Sequence, residues 1–290
     1  MALVDRADRQ APRAGVVGLG MIGGGVAVSL ARSGRTPAVF DIRPDAADKL
    51  EGVPPCSPTA GDVARLSDVV MVAVVDADQA RSVLAGAGGL LASARPGMIV
   101  VLLSTVAVPV VHELAELCAG YDVVLLDCGV TPGDKAAQNG LVAILGGPED
   151  AVAEAMPVLD DFAKVVIHCG PLGSGMATKI ARNVVTYGSW RVVREASLLA
   201  ALQGVDLARL IEVIEESDPE GRTLLQMLKL QLAGFDGAAM EAAGVLTLMD
   251  KDLAAAQDLA SELGMDVPLV DVARRKATDT LSLSIPKPPS

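Results

Sequence analysis

Two groups of residues have the types and spacing to do chemistry. The first is Gly18-Leu19-Gly20-Met21-Ile22-Gly23, with Asp41 about 20 residues further on. Gly18 permits a tight turn, Gly20 lets the backbone approach a pyrophosphate, and Gly23 allows a helix to pack closely on a strand. The turn follows a β-branched run and opens an Ala/Val/Leu stretch, so a helix start there offers unpaired N–H groups and partial positive charge to phosphates. This context points to a dinucleotide site. Asp41 can accept hydrogen bonds from ribose hydroxyls and repels a 2′-phosphate, which favours NAD. Arg43, two residues on, could grip that phosphate and keeps NADP open. The second group is Lys179 with Asn183. Residues i and i+4 share a helix face, and a Lys stands out at the start of an Ile/Ala/Val helix. A lysine snorkelling at a domain edge is the alternative reading.

The elements that must hold these residues follow from the apolar pattern. Short β-branched runs at Gly15–Leu19, Ala38–Phe40, Val69–Val75, Met98–Leu103, Val123–Leu126, Val142–Leu145 and Val165–His168 read as strands. Helices are expected over Ile22–Ser33, Gln79–Leu91, Val108–Cys118 and Glu149–Phe162. Strands apolar at nearly every position, alternating with helices, predict a doubly wound, Rossmann-type α/β domain with a parallel sheet covered on both faces. After Gly175 the strand signals stop: Ala177–Gln203 reads as one long interdomain helix, and further helices follow to about Thr280. The expected organisation is a dinucleotide-binding domain over residues 12–172 and an all-helical domain over 173–284, with a cleft between them where a small ligand would bind. Residues 1–12 read as a loose extension and Ile285–Ser290 as a frayed tail.

Composition narrows the classes. Lys and Arg total 24 against 36 Asp and Glu, a net charge of −12, with no basic tract, so nucleic-acid binding is not expected. No apolar run approaches the ~20 residues of a membrane span. The charged first fifteen residues contain no signal-peptide segment, and the expected location is the cytoplasm. Cys56, Cys118, Cys128 and Cys169 lie far apart, with no CxxC and no histidine at metal spacing, so no metal centre is expected. With three Phe, two Tyr and one Trp in the whole chain, the core must be aliphatic.

The motifs, taken in order, resemble those of the β-hydroxyacid dehydrogenases. That group contains 3-hydroxyisobutyrate dehydrogenase and tartronate semialdehyde reductase and has a nucleotide domain like that of 6-phosphogluconate dehydrogenase. The glycine turn comes first, with Ala27 and Leu30 at the family's recurring positions; Val74-Val75 stands where the family has Leu-Pro beside the cofactor, and Ser104-Thr105 matches its Ser-Thr. Asp127-Cys128-Gly129-Val130-Thr131-Pro132-Gly133 is similar to the loop that holds the substrate's carboxylate. Thr131 keeps the hydroxyl, but Pro132 replaces a glycine and has no N–H to give. Gly170-Pro-Leu-Gly173-Ser-Gly175-Met-Ala-Thr-Lys179-Ile-Ala-Arg182-Asn183 matches the segment whose Lys and Asn are catalytic in the family. Asp250-Lys251-Asp252-Leu253 resembles the segment whose Lys reaches the nicotinamide; a mixed-charge helix face is the alternative.

The resemblance implies hydride transfer between NAD or NADP and a small, anionic 3-hydroxy acid or semialdehyde. Lys179 would be the general acid/base, its pKa lowered by burial and by Arg182, and Asn183 would orient the substrate. Ser104, Thr131, Pro132 and Gly133 would line the substrate side; Gly18, Gly20, Met21, Ile22, Gly23, Asp41, Arg43, Val74, Val75, Thr105 and Lys251 the cofactor side. Self-association as a homodimer or tetramer through apolar helix faces such as Leu198–Leu202 and Leu224–Leu232 is expected. Two other functions fit parts of the pattern. An imine reductase shares the fold but usually replaces the Lys, and a non-catalytic dinucleotide-binding module would be expected to lose the Lys/Asn pair. Trp190 could line the pocket or simply pack. Glu195 reads as a buried polar contact, His168 as structural, and Cys128 as unactivated.

Overall fold

A computed structural model describes residues 11–233 and 244–281; residues 1–10 of the extension expected over 1–12, and the tail expected at 285–290, lie outside the described residues. The chain divides after Asn183 into two compact units.

The first unit carries β1 (Ala14–Val17), α1 (Met21–Arg32), β2 (Ala38–Phe40), α2 (Ala60–Leu66), β3 (Val69–Val72), α3 (Ala77–Ala85), β4 (Ile99–Leu102) and α4 (Val108–Ala119). It continues through β5 (Val124–Thr131), β6 (Leu141–Gly146), α5 (Glu149–Leu159) and β7 (Ala163–His168) into the start of α6 (Ser174–Leu202). The strands form one sheet in the order β2-β1-β3-β4-β5-β6-β7. Because β2 lies on one side of β1 and β3 on the other, the order reverses at β1. A doubly wound sheet binds its ligand in the crevice outside the carboxyl ends of the strands at that reversal.

Every residue of β1, β3 and β4 is buried. Successive side chains serve opposite faces: Val69 and Met71 pack in one layer with Val26 and Leu30 of α1 and Val158 of α5, whereas Val70 and Val72 pack in the other with Val63, Leu84 and Leu114. Two-sided burial is why these strands read as unbroken apolar runs. Among the described residues, Phe162 is the only aromatic of the largest fully buried side chains.

Three details differ from the sequence expectation. The sheet is mixed: β6 runs antiparallel to β5, and β7 parallels β6. Only residues 132–140 separate β5 from β6, whereas a parallel return needs a crossover of about a dozen residues or more. Helix α2 was not anticipated, although Thr59 and Asp62 form a capping box at its start, each side chain bonding the other's backbone N–H at 3.1 Å. The helix expected over Gln79–Leu91 stops at Ala85, because Gly86, Gly88 and Gly89 follow and Gly88 is left-handed at φ 70°.

The second unit contains the remainder of α6 followed by α7 (Leu207–Ser217), α8 (Gln226–Leu232), α9 (Val245–Glu262), α10 (Pro268–Arg275) and α11 (Ala277–Leu281). A single buried acid ties α6 to α10. Glu195 is 1% exposed, accepts the N–H groups of Leu269 and Val270 at 3.1 and 3.3 Å, and pairs with Arg191 at 2.9 Å. Its carboxylate thus serves two otherwise unbonded amides in the first turn of α10, where negative charge is also favoured by the helix dipole.

Candidate active site

The turn after β1 is built by close approach. Gly18 has φ 86°, donates its N–H to Phe40 O at 2.8 Å, and would place a Cβ 2.4 Å from Ala73 O at the end of β3. A Cβ at Gly23 would stand 1.9 Å from Gly18 O, so helix α1 lies against the turn only because that atom is missing. Gly20 differs: a Cβ there would meet nothing within 4 Å. Gly20 also caps α1 without a side-chain acceptor. The first-turn amides of Met21 and Ile22 therefore begin an open, uncapped helix terminus, which suits a pyrophosphate.

Asp41, at the end of β2, is not an open acceptor. Its Oδ2 accepts Leu19 N–H at 2.7 Å, its Oδ1 accepts Arg43 N–H at 2.9 Å, and the Arg43 guanidinium pairs with both oxygens at 3.0 and 3.2 Å. Burial by itself would raise the carboxyl's pKa; the Arg43 guanidinium and the two amides outweigh it and hold the group below the usual carboxylate range. The carboxylate is 8% exposed and the guanidinium 61%, so the outermost charge here is positive.

At the end of β3, the buried Ser104 hydroxyl accepts Val74 N–H at 2.9 Å and donates to Val74 O at 2.7 Å. The hydroxyl of Ser104, a residue expected on the substrate side, thus engages the Val74 peptide on both its N–H and its carbonyl. Its neighbour Thr105 is exposed, as is Val75, whose N–H is held by Gln79 at 3.0 Å.

The end of β5 brings the substrate-side residues against the glycine turn. A Cβ on Gly133 would lie 3.0 Å from Met21 and 3.1 Å from Ile22. The following segment, residues 133–138, is bolted to α1 through Ser29, Asn139 and Gly25, none of which the sequence motifs single out. The buried Ser29 hydroxyl donates to Ala136 O at 2.7 Å and accepts Asn139 N–H at 3.1 Å, and Gly25 leaves room for Ala136. The third glycine of the run 23–25 and the Asn139-Gly140 turn were the available signals.

Lys179 is buried, its stem laid over Gly129 and its Nζ donating to Val130 O at 2.7 Å. Burial, and next the nearby Arg182 charge, lower its pKa. Asn183, one turn on, is half-buried and accepts an Arg182 N–H at 3.3 Å. Asp127 belongs to the motif at the end of β5, where the sequence assigns it no task. It is fully buried, and its oxygens accept Gly173 N–H at 2.7 Å and Met176 N–H at 2.6 Å at the start of α6.

Lys251 lies on α9 of the second unit, exposed and 3.3 Å from Asp252. Trp190 is 66% exposed and meets Tyr187 edge-on at 5.2 Å. His168 bonds Gly147 O at 2.9 Å, and burial pushes the Cys128 thiol up to about 12. Among the described residues no three His, Cys, Asp or Glu cluster as metal ligands, and no helix is long and apolar enough to cross a membrane.

Residues 13–170 match the family of the NAD binding domain of 6-phosphogluconate dehydrogenase, and residues 173–281 match the NAD-binding family of NADP-dependent 3-hydroxyisobutyrate dehydrogenase. The chain belongs to the β-hydroxyacid dehydrogenase family. As a member, it is an NAD(P)-dependent oxidoreductase acting on CH–OH groups. An uncharacterized oxidoreductase of Mycobacterium tuberculosis is 31% identical over 97% of each chain. Human mitochondrial 3-hydroxyisobutyrate dehydrogenase is 30% identical over 90% of this chain and 79% of that protein. The crystal structure of an oxidoreductase from Mycobacterium avium 104 superposes with a TM-score of 0.81 at 27% identity, covering 94% of this chain and 99% of the other. An imine reductase from Myxococcus stipitatus shares the fold alone, at 17% identity, with a TM-score of 0.79 and coverage of 93% and 94%.

The glycine geometry gives a direct test within this dehydrogenase fold. Gly23→Ala must push α1 away from Gly18 O, so NADH binding measured by fluorescence titration should weaken at least ~10-fold, about 1.4 kcal/mol. Unchanged affinity would mean the turn does not carry the pyrophosphate.

Proposed function

We propose that this enzyme transfers a hydride between a nicotinamide cofactor and a small 3-hydroxy acid or its semialdehyde, with Lys179 as the general acid/base. The observation that carries the reading is the buried Lys179 ammonium on Val130 O, in the same strand end as Thr131 and Gly133, where Gly133 abuts the glycine turn. The amides at Gly20, Met21 and Ile22 would hold the pyrophosphate, Asp41 the adenosine ribose hydroxyls, Arg43 a 2′-phosphate where one is present, and Val74, Val75 and Thr105 the rim leading to the nicotinamide. Lys251 is proposed there from its motif. Bound nicotinamide supplies the hydride donor or acceptor.

The chain's own part is the proton and the placement. In oxidation the neutral Lys179 amine takes the hydroxyl proton; in reduction the ammonium returns it to the carbonyl oxygen. Asn183 orients the reacting oxygen by a hydrogen bond. The Thr131 hydroxyl and the Gly133 N–H hold the carboxylate, to which Pro132 adds no donor. A positive local field from Lys179 and Arg182 draws an acid anion to a chain whose net charge is −12. The 3-hydroxyisobutyrate dehydrogenase relatives support this substrate class.

Lys179→Ala should lower kcat by ~10²–10⁴ with NADH affinity retained. Because the pKa of Lys179 is lowered, wild-type kcat/KM for oxidation should rise with pH through that lowered value and then level off. Reduction should fall over the same interval, since it needs the protonated form. Full activity in Lys179→Ala with a verified substrate removes Lys179 from the mechanism.

NAD is the proposed preferred cofactor, from the carboxylate at the end of β2. The covering Arg43 makes NADP the competitor. Arg43→Ala should leave KM for NAD near its wild-type value and raise KM for NADP ~10-fold or more, the loss of a charge-assisted bond of about 1.5–3 kcal/mol. An NADPH preference that survives the substitution would contradict the assignment of both residues.

The helical unit leaves Ile211, Val213, Ile214, Leu224, Leu228 and Leu232 from 48% to 79% exposed, and α7 buries none of its residues. Such a surface supports association with a second copy. Sedimentation velocity should report a dimer or a larger species at micromolar protein; a monomer throughout would refute it.

A further inference from the structure

We propose that Asp127 is a positioning residue: by holding the first turn of α6 with its buried carboxylate, it sets the place from which the Lys179 ammonium exchanges a proton with substrate. This rests on the reading of Lys179 as the proton-transfer group.

Strand β5 grips α6 at two points. At the helix start, the two oxygens of Asp127 take the Gly173 and Met176 amides at 2.7 and 2.6 Å, at or below the short end of charge-assisted bonds. Three residues beyond Met176, the Lys179 Nζ is held by Val130 O, three residues beyond Asp127 on the same strand. Between these points, contact depends on missing Cβ atoms. A Cβ on Gly146 would lie 2.5 Å from Asp127 Oδ1, one on Gly175 would lie 2.5 Å from Ile144 O, and one on Gly129 would lie 2.4 Å from Lys179 Cβ. Helix start, lysine stem and strand ends form one tightly packed body.

A cap for stability alone does not need this residue. A neutral Ser or Thr would satisfy a helix N-terminus at similar benefit, without burying a charge. What a carboxylate adds is two strong bonds to two amides of one turn, which fix the helix in rotation as well as in height. A displacement of about 1 Å at a reacting group can cost ~10²-fold in rate, so this restraint has a catalytic consequence at Lys179. The fixed slot also keeps the ammonium buried. The charge that acts on it is Arg182 of its own helix, and β5 faces it with Gly129 and the Val130 carbonyl.

The test is Asp127→Asn, which keeps the shape but turns an NH₂ toward one of the two amides. In the folded variant, kcat should fall about 10–100-fold while NADH affinity stays at the wild-type value. The oxidation limb of the pH profile should also move alkaline, because a loosened Lys179 gains solvent. Asp127→Ser, able to serve one amide only, should show the same displaced limb. A wild-type kcat and limb in folded Asp127→Asn overturns the proposal. So does a kcat that falls only with the folded fraction while the limb stays put. If neither variant accumulates as folded protein, the carboxylate serves the fold and the proposal fails. These outcomes are separable from failure of the Lys179 reading, since Lys179→Ala then retains activity whatever Asp127 does.

Discussion

Strand β5 holds the start of helix α6 through a fully buried carboxylate, and the rest of the site is arranged around that grip. Asp127 accepts two amides of the first turn of α6, and Val130 O receives the ammonium one turn later. Burying a charge is costly unless it is fully bonded, so the contact tolerates little slack. It also explains why the first ten residues of α6 belong with the sheet and not with the helices that follow. The lysine is thereby presented from a helix turn bonded directly to the sheet.

The second constraint is how near the backbones must come. The glycine turn, the lysine slot and the seat of α6 each use glycine where a Cβ would fall within 2.6 Å of another atom. Gly18 and Gly23 bring β1, α1 and the end of β3 together; Gly129, Gly146 and Gly175 bring α6 onto β5 and β6; Gly25 admits Ala136. The same device thus builds both halves of the site, and Ser29 with Asn139 locks them. A dinucleotide and a small acid would then meet on surfaces whose spacing is set by main chain, which does not depend on rotamers.

Much of this was legible before any coordinates. Period, composition and β-branched runs identified the strands, because strands buried on both faces must be apolar throughout. Gly18 and Gly23 could be assigned separate tasks because each task tolerates only glycine, and Lys179 stood out as an amine among aliphatics. The reversal of β6 was not legible in residue types. It followed from a connection too short for a crossover, a matter of chain length between two elements. Helix α2 is hard to read from residue order because its capping box is local and its apolar face short.

What sequence alone determined is therefore the list of reactive groups and the class of fold, since side-chain chemistry and periodicity are properties of residue order. Tertiary structure decided their states. It covered the Asp41 carboxylate with the Arg43 guanidinium, turned the Ser104 hydroxyl onto the Val74 peptide, and gave Asp127 two amides to hold. Each of these depends on which polar atom lies within hydrogen-bond reach across 30 to 49 residues of intervening chain, or on which of two neighbouring charges faces water. Such choices are made only when distant segments pack and solvent is excluded.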